Sequence, residues 1–276
     1  MTDTQFVSFA HAPWPSCTVV LISYSDSAPE FPSTHGTGFF VQREQRVFLV
    51  TAGHCLVPDA SNADVFLPKA KEVAARLMIP IEPPTGTRPL NTEDYIQFSS
   101  IGYAVIDNSS GEFFGTWEDG SLDIAVLEVS PVQSDVLSQV RARSVKLPPT
   151  GEWFSKSMEN ALKMQFNAPL IASGFPKQGT ESSIDYEDMR IVTQGIHFAG
   201  HYCGTGPYPH THTMKMVQGD IQYELNGISG GPVYMKTRNG DNPPHALVGM
   251  ALRGGHGSDL LHFCSIDWLT KAIDLA

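Results

Sequence analysis

Three short stretches carry side chains whose types and order suit acyl transfer. In Asn226-Gly227-Ile228-Ser229-Gly230-Gly231-Pro232 a serine sits among glycines, just before an apolar, strand-like run, Val233-Tyr234-Met235. Three glycines in a β-like segment cost backbone entropy, so the placement asks for a reason. A serine that attacks a carbonyl supplies one. It must stand on a tight bend, with backbone N–H groups close enough to hold the oxyanion that forms, and Gly227 and Ser229 are placed to donate them. A hydroxyl is a poor nucleophile until a base takes its proton, and a neutral imidazole needs a carboxylate to fix its tautomer. Val50-Thr51-Ala52-Gly53-His54-Cys55 offers the imidazole, and Ser121-Leu122-Asp123-Ile124-Ala125-Val126-Leu127 offers the carboxylate. Alone, each has an ordinary reading: a glycine turn, a core histidine, a turn aspartate. Joint occurrence favours the chemical one.

Strands and turns must position these groups. Thr18 to Ile22 is a β-branched run that reads as a buried strand, and Gly36 to Val41 with Val47 to Val50 predicts a hairpin across Gln42-Arg43-Glu44-Gln45. His54 follows on a short helical turn with Thr51 as its expected N-cap. Lys69 to Leu77 suits a short helix, and Pro80, Pro83, Pro84, Gly86 and Pro89 predict a loop after it. Strand patterns return at 95–98, 101–106 and 122–129. Two stretches of the following connection, 135–140 and a helical 155–164, show no chemistry. Further strands are expected at 169–176, 189–198, 213–217, 246–252 and 260–265, before an amphipathic helix over Ile266 to Ile273.

The chain order His, Asp, Ser, with Thr-Ala-Gly-His-Cys, Asp-Ile-Ala-Val-Leu and Gly-x-Ser-Gly-Gly-Pro around them, resembles the signatures of trypsin-like (chymotrypsin-fold) serine peptidases. Gly36-Thr37-Gly38-Phe39-Phe40-Val41 resembles the strand that precedes the histidine in that family. The resemblance covers roughly residues 15–270 and implies an all-β fold of two six-stranded antiparallel β-barrels with a C-terminal helix. It places the N-terminal barrel at 15–130, a connection at 131–168, and the second barrel with the helix at 169–276. It implies Ser229 as nucleophile, His54 as base and then acid, Asp123 as the orienting carboxylate, and Gly227 and Ser229 as oxyanion donors. The expected activity is hydrolysis of peptide bonds through an acyl-enzyme, with no cofactor and no metal. A binding or regulatory module with an idle or partner-activated triad, and an esterase, are the alternatives.

Two departures from the family pattern bear on mechanism. Secreted digestive members carry an aspartate before the serine, which receives a freshly cut N-terminus; this chain has Ile228, so activation by that insertion is not expected. Assembly without cleavage, or switching by a partner, is expected instead. The position that reads a basic residue in the specificity pocket holds Tyr223, with Glu224 and Asp220 near it. Leu252-Arg253-Gly254-Gly255 aligns with the segment that pairs with the substrate backbone, its glycines leaving access. These pocket residues leave specificity open.

Composition sets the outer bounds. The 276 residues are 41% apolar, enough for a substantial core, and 24 glycines and 20 prolines scattered among short β-like runs favour many turns. A formal charge of −11 argues against nucleic acid as a partner, and no apolar run approaches the ~20 residues needed to cross a bilayer. The expected partners are a protein or peptide substrate and a dedicated activator. Met1 to Phe6 shows no secretory pattern, which predicts a cytoplasmic protein. Cys17, Cys55, Cys203 and Cys264 fit no zinc spacing and read as buried reduced thiols, with a Cys17–Cys55 bridge left open. His201, Cys203, His210 and His212 form a histidine-rich loop that is read as structural or substrate-facing and not as a metal site.

Overall fold

The computed structural model describes residues 14–25, 28–58, 63–81, 86–89, 95–97, 101–104, 123–129, 134–147, 159, 168–176, 183–188, 190–208, 210–217, 225–236, 245–254 and 258–276. Its N-terminal half contains β1 (Thr18–Ser25), β2 (Ala28–Arg43), β3 (Arg46–Thr51), β4 (Leu77–Pro80), β5 (Gly86–Pro89), β6 (Tyr95–Gln97), β7 (Ile101–Ala104) and β8 (Ala125–Val129). Helices α1 (Gly53–Leu56) and α2 (Ala63–Ala74) lie between β3 and β4. All of these strands except β5 join one sheet, in the order β6-β4-β1-β2-β3-β8-β7. Helix α3 (Ser134–Arg143) and a short strand β9 (Val145–Lys146), parallel to β2, follow. Val19 to Ile22, Val47 to Val50 and Ile124 to Leu127 are buried along their whole length, as continuous apolar runs require. Each such side chain contributes roughly 1.5–3 kcal/mol by leaving water.

The C-terminal half contains β10 (Pro169–Gly174), β11 (Ser183–Asp185), β12 (Arg190–Thr193), β13 (Ile196–Thr205), β14 (Thr211–Met216), β15 (Pro232–Lys236), β16 (His245–Gly254) and β17 (Leu260–Ser265). Six of them close into a barrel in the order β10-β13-β14-β17-β16-β15. Strand β16 is buried from Ala246 to Leu252, whereas β13 turns Phe198 and Gly200 inward and His197 and Ala199 outward. The chain ends in α4 (Ile266–Leu275). Ile266, Leu269, Thr270 and Ile273 are buried on one face of it, and it packs on β16 and β17. Arg43 on β2 donates from Nε and Nη2 to Asp274, tying this helix to the first sheet. No helix among the described residues is long and apolar enough to cross a membrane.

Of the two expected barrels one is closed; among the described residues the N-terminal strands form one sheet whose end strands, β6 and β7, do not pair with each other. Other expectations are corrected. The N-cap of α1 is Ala52, and the Thr51 hydroxyl donates to Thr37 O at 2.7 Å instead. The first long helix is α2, which begins at Ala63 and carries Pro68 within it. The proline-rich stretch after it contains two strands. There β4 pairs with β1, while β5 pairs with β12 from the other half to make a three-stranded sheet, β11-β12-β5. The prolines Pro80 and Pro89 sit at strand ends, where a missing N–H costs no ladder bond. Asp135 to Val140 belongs to α3. The expected 155–164 helix lies outside the described residues apart from Glu159.

Candidate active site

His54 stands on α1, the single helical turn that follows β3, and Asp123 stands just before β8, which pairs with β3. Sheet pairing therefore brings residues far apart in sequence to one edge. The Asp123 carboxylate is used twice by the same residue: His54 N–H donates to Oδ1 at 2.8 Å, and the ring nitrogen Nδ1 hydrogen-bonds Oδ2. The backbone joins in, with Gly53 N–H donating to Asp123 O at 3.3 Å. Asp123 is buried, and the His54 side chain is partly open to solvent. Burial alone lowers the imidazole pKa; the charge of Asp123 and its hydrogen bond outweigh that and raise it above the ordinary range. With Nδ1 committed to the carboxylate, Nε2 is the nitrogen left to handle a proton.

Ser229 lies between a turn that begins at Leu225 and strand β15. Gly227 has φ +98° and Gly230 φ +84°, left-handed values that a side chain would strain. At Gly230 a Cβ would also fall 2.1 Å from Thr37 O. Three N–H groups of this loop are used: Ile228 donates to Leu225 O, Gly230 to Ala251 O and Gly231 to Ile228 O. Those of Gly227 and Ser229 have no acceptor among the described residues. The Ser229 hydroxyl donates to Leu252 O at 2.8 Å, and no hydrogen bond joins it to His54 among the described residues.

The sequence reading missed what holds this loop. Thr37, fully buried on β2, donates from its N–H to Ser229 O at 3.1 Å and from its hydroxyl to Gly227 O at 2.6 Å. The same hydroxyl accepts from Phe175 N–H at 2.9 Å. The Gly227–Ile228 and Ser229–Gly230 peptides, on either side of the serine, are thus each bonded to one residue of the other half. The Cys55 thiol, next to His54, donates to Ser229 O at 3.3 Å and completes the link. The only sequence signal was the Gly36-Thr37-Gly38 run, read as a strand and not as a clamp.

Of the expected pocket residues, Leu252 is buried, Arg253 exposed and Gly254 half-buried at the end of β16; Tyr223, Glu224 and Asp220 lie outside the described residues. Ile228 is fully buried against Gly174. The four cysteines are free thiols. Cys17 contacts the hydroxyl of Tyr234 at 2.8 Å, and burial pushes its thiol up to about 11. Cys203 corrects the expectation of four buried thiols: it is exposed, beside the irregularity where β13 and β14 slip register. In the histidine-rich loop, His212 Nδ1 and the Tyr202 hydroxyl are hydrogen-bonded at 3.2 Å, and burial lowers the His212 pKa to about 4. His210 packs on Trp268, its ring 4.3 Å away. Among the described residues no three His, Cys, Asp or Glu side chains converge on a point.

No family model and no curated protein sequence matches the chain. Among solved structures, it is similar to a thermostable serine protease, AL20, from an extremophilic microorganism. The TM-score is 0.54 at 10% identity, covering 96% of this chain and 98% of that one. A structure concerning the coupled folding and binding of the intrinsically disordered Sesbania mosaic virus VPg protein aligns over 93% of this chain and 90% of that one. Its TM-score is 0.42 at 13% identity, too low to add weight. What is shown is the fold alone, a trypsin-like β-barrel fold.

Proposed function

We propose that the chain is a serine endopeptidase that cleaves proteins or peptides through His54, Asp123 and Ser229. The observation that carries this reading is the buried Asp123 carboxylate gripping both the N–H and the ring of His54, beside a serine loop with two N–H groups that have no acceptor among the described residues. Ser229 Oγ attacks the substrate carbonyl as His54 Nε2 takes its proton, and the oxyanion is held by the N–H groups of Gly227 and Ser229. His54 returns the proton to the leaving amine, which departs and leaves an acyl ester on Ser229. Water then attacks the ester, giving its proton to His54, and the carboxylic acid leaves as Ser229 regains its proton. Removing one oxyanion donor typically lowers kcat ~10²–10³-fold.

The reaction so written needs no metal or organic cofactor. Ile228, buried where an ion pair with a new N-terminus would form, supports an enzyme not activated by propeptide cleavage. Free thiols at Cys17 and Cys55 suit a reducing compartment such as the cytoplasm. We read the open N-terminal sheet as the counterpart of the first six-stranded barrel, with the halves divided at 15–130, 131–168 and 169–276.

One observation favours a second reading, a module that waits for a partner: the Ser229 hydroxyl rests on Leu252 O and not on His54. A fluorophosphonate probe separates the two. The peptidase reading expects labelling at Ser229, found by peptide mass spectrometry and lost in His54→Ala. A folded wild-type chain that stays unlabelled alone and labels only with a partner supports the second reading; cleavage by Ser229→Ala would sink both.

A further inference from the structure

A side chain of the serine turn packs on the strand that carries Leu252, the acceptor of the Ser229 hydroxyl. Leu225, which opens the serine turn, is buried with 6% of its surface exposed. Its side chain lies against the backbone of Gly254 at the end of β16. A Cβ built on Gly254 would fall 2.0 Å from Leu225 Cδ1, 2.9 Å from its Cβ and 3.0 Å from its Cγ. The expectation that the glycines after Leu252 leave access is therefore not met at residue 254. Its missing Cβ makes room for Leu225.

Three anchors locate the substrate residue whose carbonyl is attacked. Its carbonyl carbon must approach Ser229 Oγ, and its oxygen must point at the N–H groups of Gly227 and Ser229. Its own N–H faces Leu252 O, the acceptor 2.8 Å from Oγ that is freed when the hydroxyl turns to His54. A residue held at those points has its Cα between the 225–229 loop and the 252–254 strand. Its side chain leaves into the gap that separates them, which Leu225 closes. Arg253 does not widen it, since it is exposed, and Leu252 is buried in the barrel.

We infer that Leu225 sets specificity, and that the residue on the acyl side of the scissile bond is small: Gly, Ala or Ser. The inference rests on the peptidase reading above and deepens it, because it names the substrate class from the protein's own packing. A large apolar or basic side chain meets the Leu225 methyls, and pushing Leu225 aside disturbs its packing on Gly254. Excluding each extra methylene from a tight pocket is worth on the order of 10–200-fold in rate.

The test uses the full chain and irreversible probes, so that turnover is not required. Peptidyl diphenyl phosphonates with an Ala or a Phe side chain next to phosphorus are compared, with an alkyl fluorophosphonate that has no such side chain as the control. The expected result is that wild type reacts with the Ala probe at least ~10-fold faster than with the Phe probe, and that Leu225→Ala shifts that ratio toward Phe by ~10-fold or more. Leu225→Val, which keeps most of the packing, should shift it in the same direction by less. If Leu225→Ala fails to give a cooperative thermal transition, the wild-type ratio and Leu225→Val decide. Wild type that takes Phe as readily as Ala, or a ratio that both variants leave in place, overturns the inference while fluorophosphonate labelling at Ser229 keeps the peptidase reading standing. No labelling of wild type by any of the probes overturns both.

Discussion

The two halves of the site are held in different ways. His54 and Asp123 are fixed from within one sheet: β3 and β8 are neighbours, and three contacts join the short segments at their ends. Ser229 stands in the loop before β15 of the closed barrel, and that loop is held from two sides: by Ala251 and Leu252 of β16 within the barrel, and by Thr37 and Cys55 of the other half. The proposed proton-handling pair is self-contained, whereas the position of the proposed nucleophile is in part borrowed from the other half. The division places the reacting atoms where the halves meet, and makes serine geometry a reporter of how the halves sit together.

The strongest way to break the self-contained half is Asp123→Asn. The amide can still accept from His54 N–H but no longer fixes the right tautomer, and kcat should fall ~10⁴-fold with the fold retained. The pH profile carries the sign. Protonated His54 cannot accept the serine's proton, so kcat/KM in wild type should rise with pH through a midpoint above the ordinary imidazole value, because Asp123 raises it. In Asp123→Asn burial acts alone, and the midpoint should fall. The same raised pKa stabilises the native state at pH below the unfolded imidazole value, a gain lost as pH climbs through the native value. A wild-type midpoint below the ordinary value would contradict the pairing.

The borrowed half is probed by Thr37→Val. That change leaves Gly227 O and Phe175 N–H without their hydroxyl partner, at ~1–3 kcal/mol for each buried group left unpaired. Serine labelling should slow by roughly 10–100-fold. Thr37→Ser, which keeps the hydroxyl, should restore most of the rate. The comparison is sharpened by the His54 imidazole titration followed by NMR, which should not move in Thr37→Val. A large movement would show that the two halves are not independent.

The smallest chemical change is Gly36→Cys. A Cβ there would lie 3.3 Å from Cys55 Cβ and 2.6 Å from its sulfur, nearer than the ~3.5–4.5 Å between the Cβ atoms of a relaxed disulfide, so the two must part by a few tenths of an ångström to bridge. Under oxidising conditions the pair should close, adding at most ~3 kcal/mol by the loop-entropy estimate, less the strain of closing it, read as a raised Tm that reductant abolishes. It also removes the Cys55 thiol from Ser229 O. A measurable fall in serine labelling on oxidation would show that the thiol contributes to the clamp; an unchanged rate would leave Thr37 as its main support.

Much of the site was legible because its signals are local. The hairpin of β2 and β3 follows from two apolar runs across a polar turn, and the structure closes it at Glu44 and Gln45. The terminal helix follows from apolar spacing, and the serine, histidine and aspartate stretches each announce themselves in a few residues. The proline-rich stretch was misread because β5 has no partner nearby in sequence; only β12, about a hundred residues later, makes it a strand. Thr51 looked like a cap, but β3 runs on through it and the cap position falls to Ala52, while the Thr51 hydroxyl donates to the Thr37 carbonyl.

By itself the sequence determined which side chains are available for chemistry and where the chain must be extended or turn, since backbone propensity and apolar periodicity act between near neighbours. The tertiary structure alone decided that Thr37 clamps the serine loop, that Leu225 fills the gap at Gly254, and that one sheet closes while the other stays open among the described residues. Those outcomes depend on which groups meet across long stretches of chain. A buried threonine hydroxyl and a leucine methyl carry no local mark of the partner they will touch.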